Sequence, residues 1–145
     1  DEMQGAIASV ADLPNVFMDT SMVMDPQILA LAFRALGPER LLFATDFPVA
    51  AMRGRRVYAM DHWVDVVLPG YPPSAYRVAA DNIHATFMAW EIALAVRRGA
   101  ELAGLSASQI QAVFFQNGMT LLNRVRKGQP AERLRAAWKT APKFG

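Results

Sequence analysis

One carboxylate stands where this sequence is placed to do chemistry. Asp46 ends the run Leu41-Leu42-Phe43-Ala44-Thr45-Asp46 and is followed by Phe47-Pro48. The apolar stretch Leu41 to Ala44 follows the turn signal Gly37-Pro38 and predicts a buried strand. Pro48 then stops sheet pairing. An acid at the carboxyl end of a buried parallel strand is where a barrel enzyme keeps its reactive groups. The chemistry such a group offers is proton transfer.

The preceding residues supply elements to position it. Asn15 to Thr20 predicts a first strand, ending in the polar Asp19-Thr20-Ser21. Asp25-Pro26 has the form of a helix cap followed by Pro at the first helical position. Ile28, Leu29, Ala32 and Leu36 recur at helical spacing, and Gly37 closes the helix, so a helix is predicted over Pro26–Leu36. Strand, helix and strand in this order make a βαβ unit, the building block of parallel sheets. Barrel parity turns Leu42, Ala44 and Asp46 inward and Leu41, Phe43 and Thr45 towards the helices.

Three pieces of the chain resemble the amidohydrolase-related family. The string Leu13-Pro14-Asn15-Val16-Phe17-Met18-Asp19-Thr20-Ser21 is similar to its seventh strand. The string Gly37 to Pro48 is similar to its eighth. Leu105 to Ile110, leading into Asn117-x-x-x-Leu121-Leu122, resembles its closing helix. Met3 to Ala11 resembles the end of the helix before strand seven. The resemblance implies metal-dependent hydrolases and decarboxylases on a (β/α)8 TIM barrel. The fold class expected is therefore α/β, the C-terminal part of such a barrel with an extra helical insertion. The domain limits expected are 1–122 for the barrel part, with 48–105 as insertion and long helix, and 123–145 as a basic helical tail.

A full barrel of this kind needs about 250 residues, whereas this chain has 145. The family holds its metal with a His-x-His pair and further histidines, and the only histidines here are His62 and His84. The resemblance therefore implies one metal-site residue, Asp46, and an isolated chain without activity. A divalent ion held by imidazoles and a carboxylate lowers the pKa of its bound water towards about 7. The resemblance gives Asp46 the double role of touching that ion and moving the water's proton, on a small organic substrate bearing a carboxylate, amide or lactone. Histidine and carboxylate donors without cysteine suit zinc, with manganese or iron as alternatives. The duller account of Asp46 is a residue that caps the Phe47-Pro48 turn. Asp19 belongs beside the site more than in it.

Between Pro48 and Leu105 the chain departs from the family pattern. An irregular stretch is predicted first, then a long helix from Ala79 to Arg98 ended by Gly99. Its expected apolar stripe is Ile83, Phe87, Trp90 and Leu94, widened by Met88 and Ile92. A loop leaving the catalytic rim could roof the pocket, which makes Arg53, His62 and Trp63 candidate substrate contacts, with Arg55 and Arg56 beside them. Arg binds a carboxylate through two parallel hydrogen bonds. A surface excursion or an oligomer contact is the equal alternative. His84 is expected within the helix, in core or interface packing. Glu91, among apolar neighbours, requires a partner if buried, either an Arg of its own helix or an interface.

Composition narrows the remaining classes. Hydrophobic residues make up 53% of the chain, enough for a sizeable core. The absence of Cys excludes disulfides and thiolate metal sites and fits a cytoplasmic protein. Ala85 to Val96, the longest apolar stretch, is too short to cross a membrane and contains Glu91. The net charge of +2 conceals a basic end, with Arg124, Arg126, Lys127, Arg133, Arg135, Lys139 and Lys143 against Glu132 alone. These charges are spread around a helical pattern, which favours a solvated terminal helix over nucleic-acid binding. An incomplete barrel leaves sheet edges bare. Association is therefore expected, with the missing N-terminal barrel portion or with a second copy. A non-catalytic scaffold built from a degenerate barrel and a basic helical interaction module are the other function classes.

Overall fold

The computed structural model describes residues 2–59 and 62–127. The remaining residues, including most of the predicted basic tail, lie outside the described part. Helix α1 (Glu2–Val10) leads to strand β1 (Met18–Asp19), helix α2 (Pro26–Leu36) and strand β2 (Leu41–Leu42). β1 and β2 pair in parallel, with Met18 opposite Leu41 and Asp19 opposite Leu42. The βαβ unit expected from the sequence is present, in a mixed α/β structure. Its strands are shorter than the predicted runs.

Helix α2 forms for the reasons its sequence suggests. The Asp25 carboxylate accepts from Gln27 N–H at 2.8 Å, Pro26 occupies the first turn, and Gly37 ends the helix with φ 85°. Leu29, Ala30, Ala32, Phe33 and Leu36 are buried. Arg40, only 3% exposed, ties the start of β2 to the end of α1. Its guanidinium donates to the carbonyls of Leu36 (2.7 Å), Leu13 (2.5 Å) and Ala11 (2.6 Å). β2 is too short to show the alternation expected over Leu41 to Asp46, and residues 42–45 are all half-buried. Leu41 is fully buried in the core and Phe43 stacks on Phe114 with ring centroids 4.7 Å apart, while Asp46 is exposed.

The stretch expected to be irregular forms a second sheet. β3 (Gly54–Ala59) and β4 (His62–Val67) pair antiparallel, and β5 (Arg77–Ala79) joins β4 in parallel. The helix expected from Ala79 instead runs from Met88 to Leu102 (α3). Residues 86 and 87 are held extended against the chain after β2. Gly54 N–H donates to the Thr86 carbonyl at 3.0 Å, and Arg53 and Phe87 form an antiparallel bridge. Met88 N–H then bonds the Met52 carbonyl at 2.9 Å, so the helix cannot begin earlier. His84 consequently lies in an exposed loop rather than in a helix.

The buried face of α3 includes the predicted Met88 and Ile92 but not the rest of the predicted stripe. Met88, Ile92, Ala95, Val96, Gly99 and Ala100 face the core, whereas Phe87, Trp90 and Leu94 are exposed, Trp90 by 68%. Gly99 does not stop the helix; it allows α2 to approach. A Cβ there would sit 2.7 Å from Leu29 Cβ and 2.9 Å from the Pro26 carbonyl oxygen. Gly104, with φ 76°, lies just beyond the end of α3. α4 (Ala107–Gln111) opens with the expected capping box, Ser106 Oγ accepting from Gln109 N–H and Gln109 Oε1 from Ser106 N–H. It continues through a π-turn (Ala112–Gln116) into α5 (Asn117–Arg126). Among the described residues no helix is long and apolar enough to cross a membrane.

Candidate functional site

Because β1 and β2 are parallel, Asp19 and the chain leading to Asp46 leave the sheet at the same end. The last backbone bond between the strands runs from Thr20 N–H to the Leu42 carbonyl at 3.0 Å. Beyond it a side chain takes over. Thr20 Oγ1 donates to the Ala44 carbonyl at 3.0 Å and accepts from Ala44 N–H at 3.1 Å. Thr20 is fully buried.

Two residues later Asp46 adopts φ 63°, the left-handed region that few residues other than Gly visit. The following Phe47–Pro48 peptide bond is cis. The Asp46 carbonyl accepts from Ala50 N–H at 3.2 Å, at the start of a short 3₁₀ turn, Val49–Ala51. Its carboxylate is exposed and makes no hydrogen bond or ion pair among the described residues. Asp19 differs, because one of its oxygens accepts from Ser21 N–H at 2.8 Å in a local turn. Of the two acids on this rim, Asp46 is the one with both oxygens unspent.

The opposite edge of β2 is closed by the last helices. Asn117 Nδ2 donates to the carbonyls of Pro38 (2.7 Å) and Leu41 (2.8 Å). Phe43 N–H donates to the Val113 carbonyl, in the π-turn, at 3.0 Å. Sequence reasoning did not foresee the parts played by Thr20, Arg40 and Asn117. All three lie in strings that resemble the family, Asn117 as the first residue of Asn-x-x-x-Leu-Leu, but the strings do not say what each side chain bonds.

The candidate substrate contacts belong to the second sheet and its flanks. Arg53 donates through Nε and Nη2 to the Ala85 carbonyl at 3.2 and 3.0 Å, and its N–H donates to the Tyr71 hydroxyl. Arg55 bonds Glu91 and the Met24 carbonyl, both at 3.0 Å. The partner that Glu91 required is therefore a strand arginine rather than one of its own helix, with the Thr86 hydroxyl donating to its second oxygen at 2.6 Å. Arg56 forks onto Asp65 at 2.8 and 3.1 Å and lies 3.7 Å above the Trp63 ring, which stacks on Tyr76. All three guanidinium groups thus have internal acceptors. His62 is exposed at the start of β4, and Trp63 is half-buried.

Among the described residues no three His, Cys, Asp or Glu side chains come together as a metal ion would require. A lone carboxylate does not hold a divalent ion, so these residues do not by themselves fit one. A surface depression of about 440 Å³ between α2 and α3, lined by Pro26, Gln27, Arg98, Glu101 and Leu102, contains none of the candidate residues. The family model described as Amidohydrolase matches residues 1–117 of the chain. No curated protein and no solved structure gives a significant match.

Proposed function

Since the chain belongs to the amidohydrolase family, we propose that it carries the Asp46 carboxylate of a hydrolase or decarboxylase acting on a small organic substrate. In this reading β1, α2 and β2 are the last two strands of a (β/α)8 barrel with their connecting helix, Asp46 lies at its catalytic rim, and the first strand would take the edge of β2 that Asn117 and the Val113 carbonyl hold here. Asp46 takes a proton from the attacking group and returns it to the leaving group, as a positioned carboxylate does. The observation that carries the reading is the exposed, unspent Asp46 carboxylate on a fixed backbone, four residues past the carboxyl end of a parallel strand. A divalent ion, zinc by the softness of the expected donors, would need its other donors from beyond the described residues. His62 and Trp63 are the proposed substrate-facing groups. Arg53 would join them only by giving up the Ala85 carbonyl. The remaining barrel portion is the proposed partner.

The test is Asp46→Asn in the full-length protein, which preserves size and hydrogen bonding but cannot accept the proton. Turnover should be assayed on 4-nitrophenyl esters and by release of carbon dioxide from aromatic carboxylic acids. A fall of about a hundredfold to ten-thousandfold with an unchanged melting temperature is expected. Undiminished turnover would defeat the assignment.

A further inference from the structure

The bonds around Ala44 point to a residue that acts on Asp46 without touching substrate. We infer that Thr20 is a positioning residue, whose hydroxyl grips Ala44 and thereby sets the backbone that presents Asp46. This inference rests on the reading of Asp46 given above.

Backbone pairing between β1 and β2 ends at Leu42. A strand extended by one more register would hold Ala44 by its own amide and carbonyl. Here the Thr20 side chain does both, donating to the Ala44 carbonyl at 3.0 Å and accepting from its N–H at 3.1 Å. A hydroxyl has one proton and two lone pairs, so a single Thr can serve both groups at once. Thr20 is fully buried, which keeps water from substituting for it. Downstream, Ala50 N–H holds the Asp46 carbonyl at 3.2 Å. Asp46 with φ 63° is therefore fixed between two anchors, one of them a side chain. Left-handed backbone at a non-Gly residue persists where its surroundings over-determine it.

Valine matches threonine in shape but can neither donate nor accept, while serine keeps the hydroxyl. In the 145-residue chain, the Ala44 amide should be protected from hydrogen exchange, and Asp46 should show the strong intraresidue amide-to-Hα Overhauser effect of a positive φ. Thr20→Val should raise Ala44 exchange by about tenfold or more, as loss of a buried acceptor does, and weaken the Asp46 effect. Thr20→Ser should restore both. In the full-length protein Thr20→Val should lower kcat more than it raises KM with a 4-nitrophenyl ester as probe. It should cost nothing further in an Asp46→Asn background.

An unprotected Ala44 amide in the unsubstituted chain would overturn the inference, and that result needs no variant to fold. So would an Asp46 signature unchanged in Thr20→Val or absent in Thr20→Ser, or full additivity of the two substitutions. Undiminished turnover of Asp46→Asn would instead defeat the reading of Asp46, leaving the exchange and Overhauser results to judge Thr20 separately.

Discussion

Substitutions at Asp46 should separate the cost of its backbone from the use of its carboxylate. The side chain is exposed and makes no hydrogen bond or ion pair among the described residues, so replacing it forfeits neither. What remains is φ 63°. Left-handed backbone costs an L-residue roughly 1–2 kcal/mol, less for Asp and Asn, and nothing for Gly. Gly loses about 0.5–1 kcal/mol more chain entropy on folding than Ala, which offsets part of the gain. Asp46→Gly should therefore stabilise the chain by up to about 1 kcal/mol, and Asp46→Ala should destabilise it by about 1 kcal/mol. Asp46→Asn should stay within about 0.5 kcal/mol of the parent. For a chain of this size 1 kcal/mol moves the melting temperature by about 2–4 °C. Urea unfolding measures the order directly, as midpoints that shift at constant slope. If Ala proves as stable as Gly at position 46, the backbone is not held at positive φ and the account of a strained carboxylate fails. If the order holds while Gly abolishes turnover in the full-length protein, the strain has been retained for function.

Two further perturbations test the scaffold around the site. Asn117→Ala should cost about 2 kcal/mol in chemical denaturation, because the carbonyls of Pro38 and Leu41 both lose their donor. The same Gly→Ala change should have opposite signs in two helices. At Gly99 the added Cβ meets Leu29 Cβ at 2.7 Å and the Pro26 carbonyl at 2.9 Å, and overpacking of about 1–3 kcal/mol outweighs the helix-propensity gain of about 1 kcal/mol. At Gly118 nothing lies within 4 Å, so stability should rise by about 0.5–1 kcal/mol. Differential scanning calorimetry of both variants decides the matter.

The βαβ unit was legible because its signals are local. Asp25-Pro26 starts α2, Gly37 ends it, and the apolar run at Leu41 marks the return strand. The second sheet was not legible. Its strands carry Arg55, Arg56 and Asp65, charged residues whose partners lie across the sheet and beyond it, such as Glu91 and the Met24 carbonyl. The start of α3 was missed for a similar reason. Residues 86 and 87 are held extended by bonds to residues 53 and 54, over thirty positions away, which no capping pattern reveals. The choice of its buried face turned on size. One face offers Phe87, Trp90 and Leu94, the other Ala95, Gly99 and Ala100 alongside Met88, Ile92 and Val96. The face with small residues lets the α2 backbone approach closely, and close approach decided the packing against the larger aromatic stripe.

The candidate site divides along the same line. That an acid follows β2 could be read from eight residues, since the order of strand and acid is a property of the chain itself. How that acid is held could not, because the groups that hold it are supplied from elsewhere. Backbone amides and carbonyls in a strand point alternately to its two sides. Leu42 faces β1, and Leu41 and Phe43 face away from it, onto Asn117 and the Val113 carbonyl of the π-turn. Ala44 turns back towards β1 and meets Thr20. Four consecutive residues thus have partners on alternating sides, from one strand, two side chains and one carbonyl of the π-turn, and only two of them pair in regular sheet. Such a segment has little freedom left, and it is there that a left-handed Asp can be sustained without a bond from its own carboxylate. The oxygens stay unbonded among the described residues because neighbouring residues, rather than the side chain itself, hold the backbone in place.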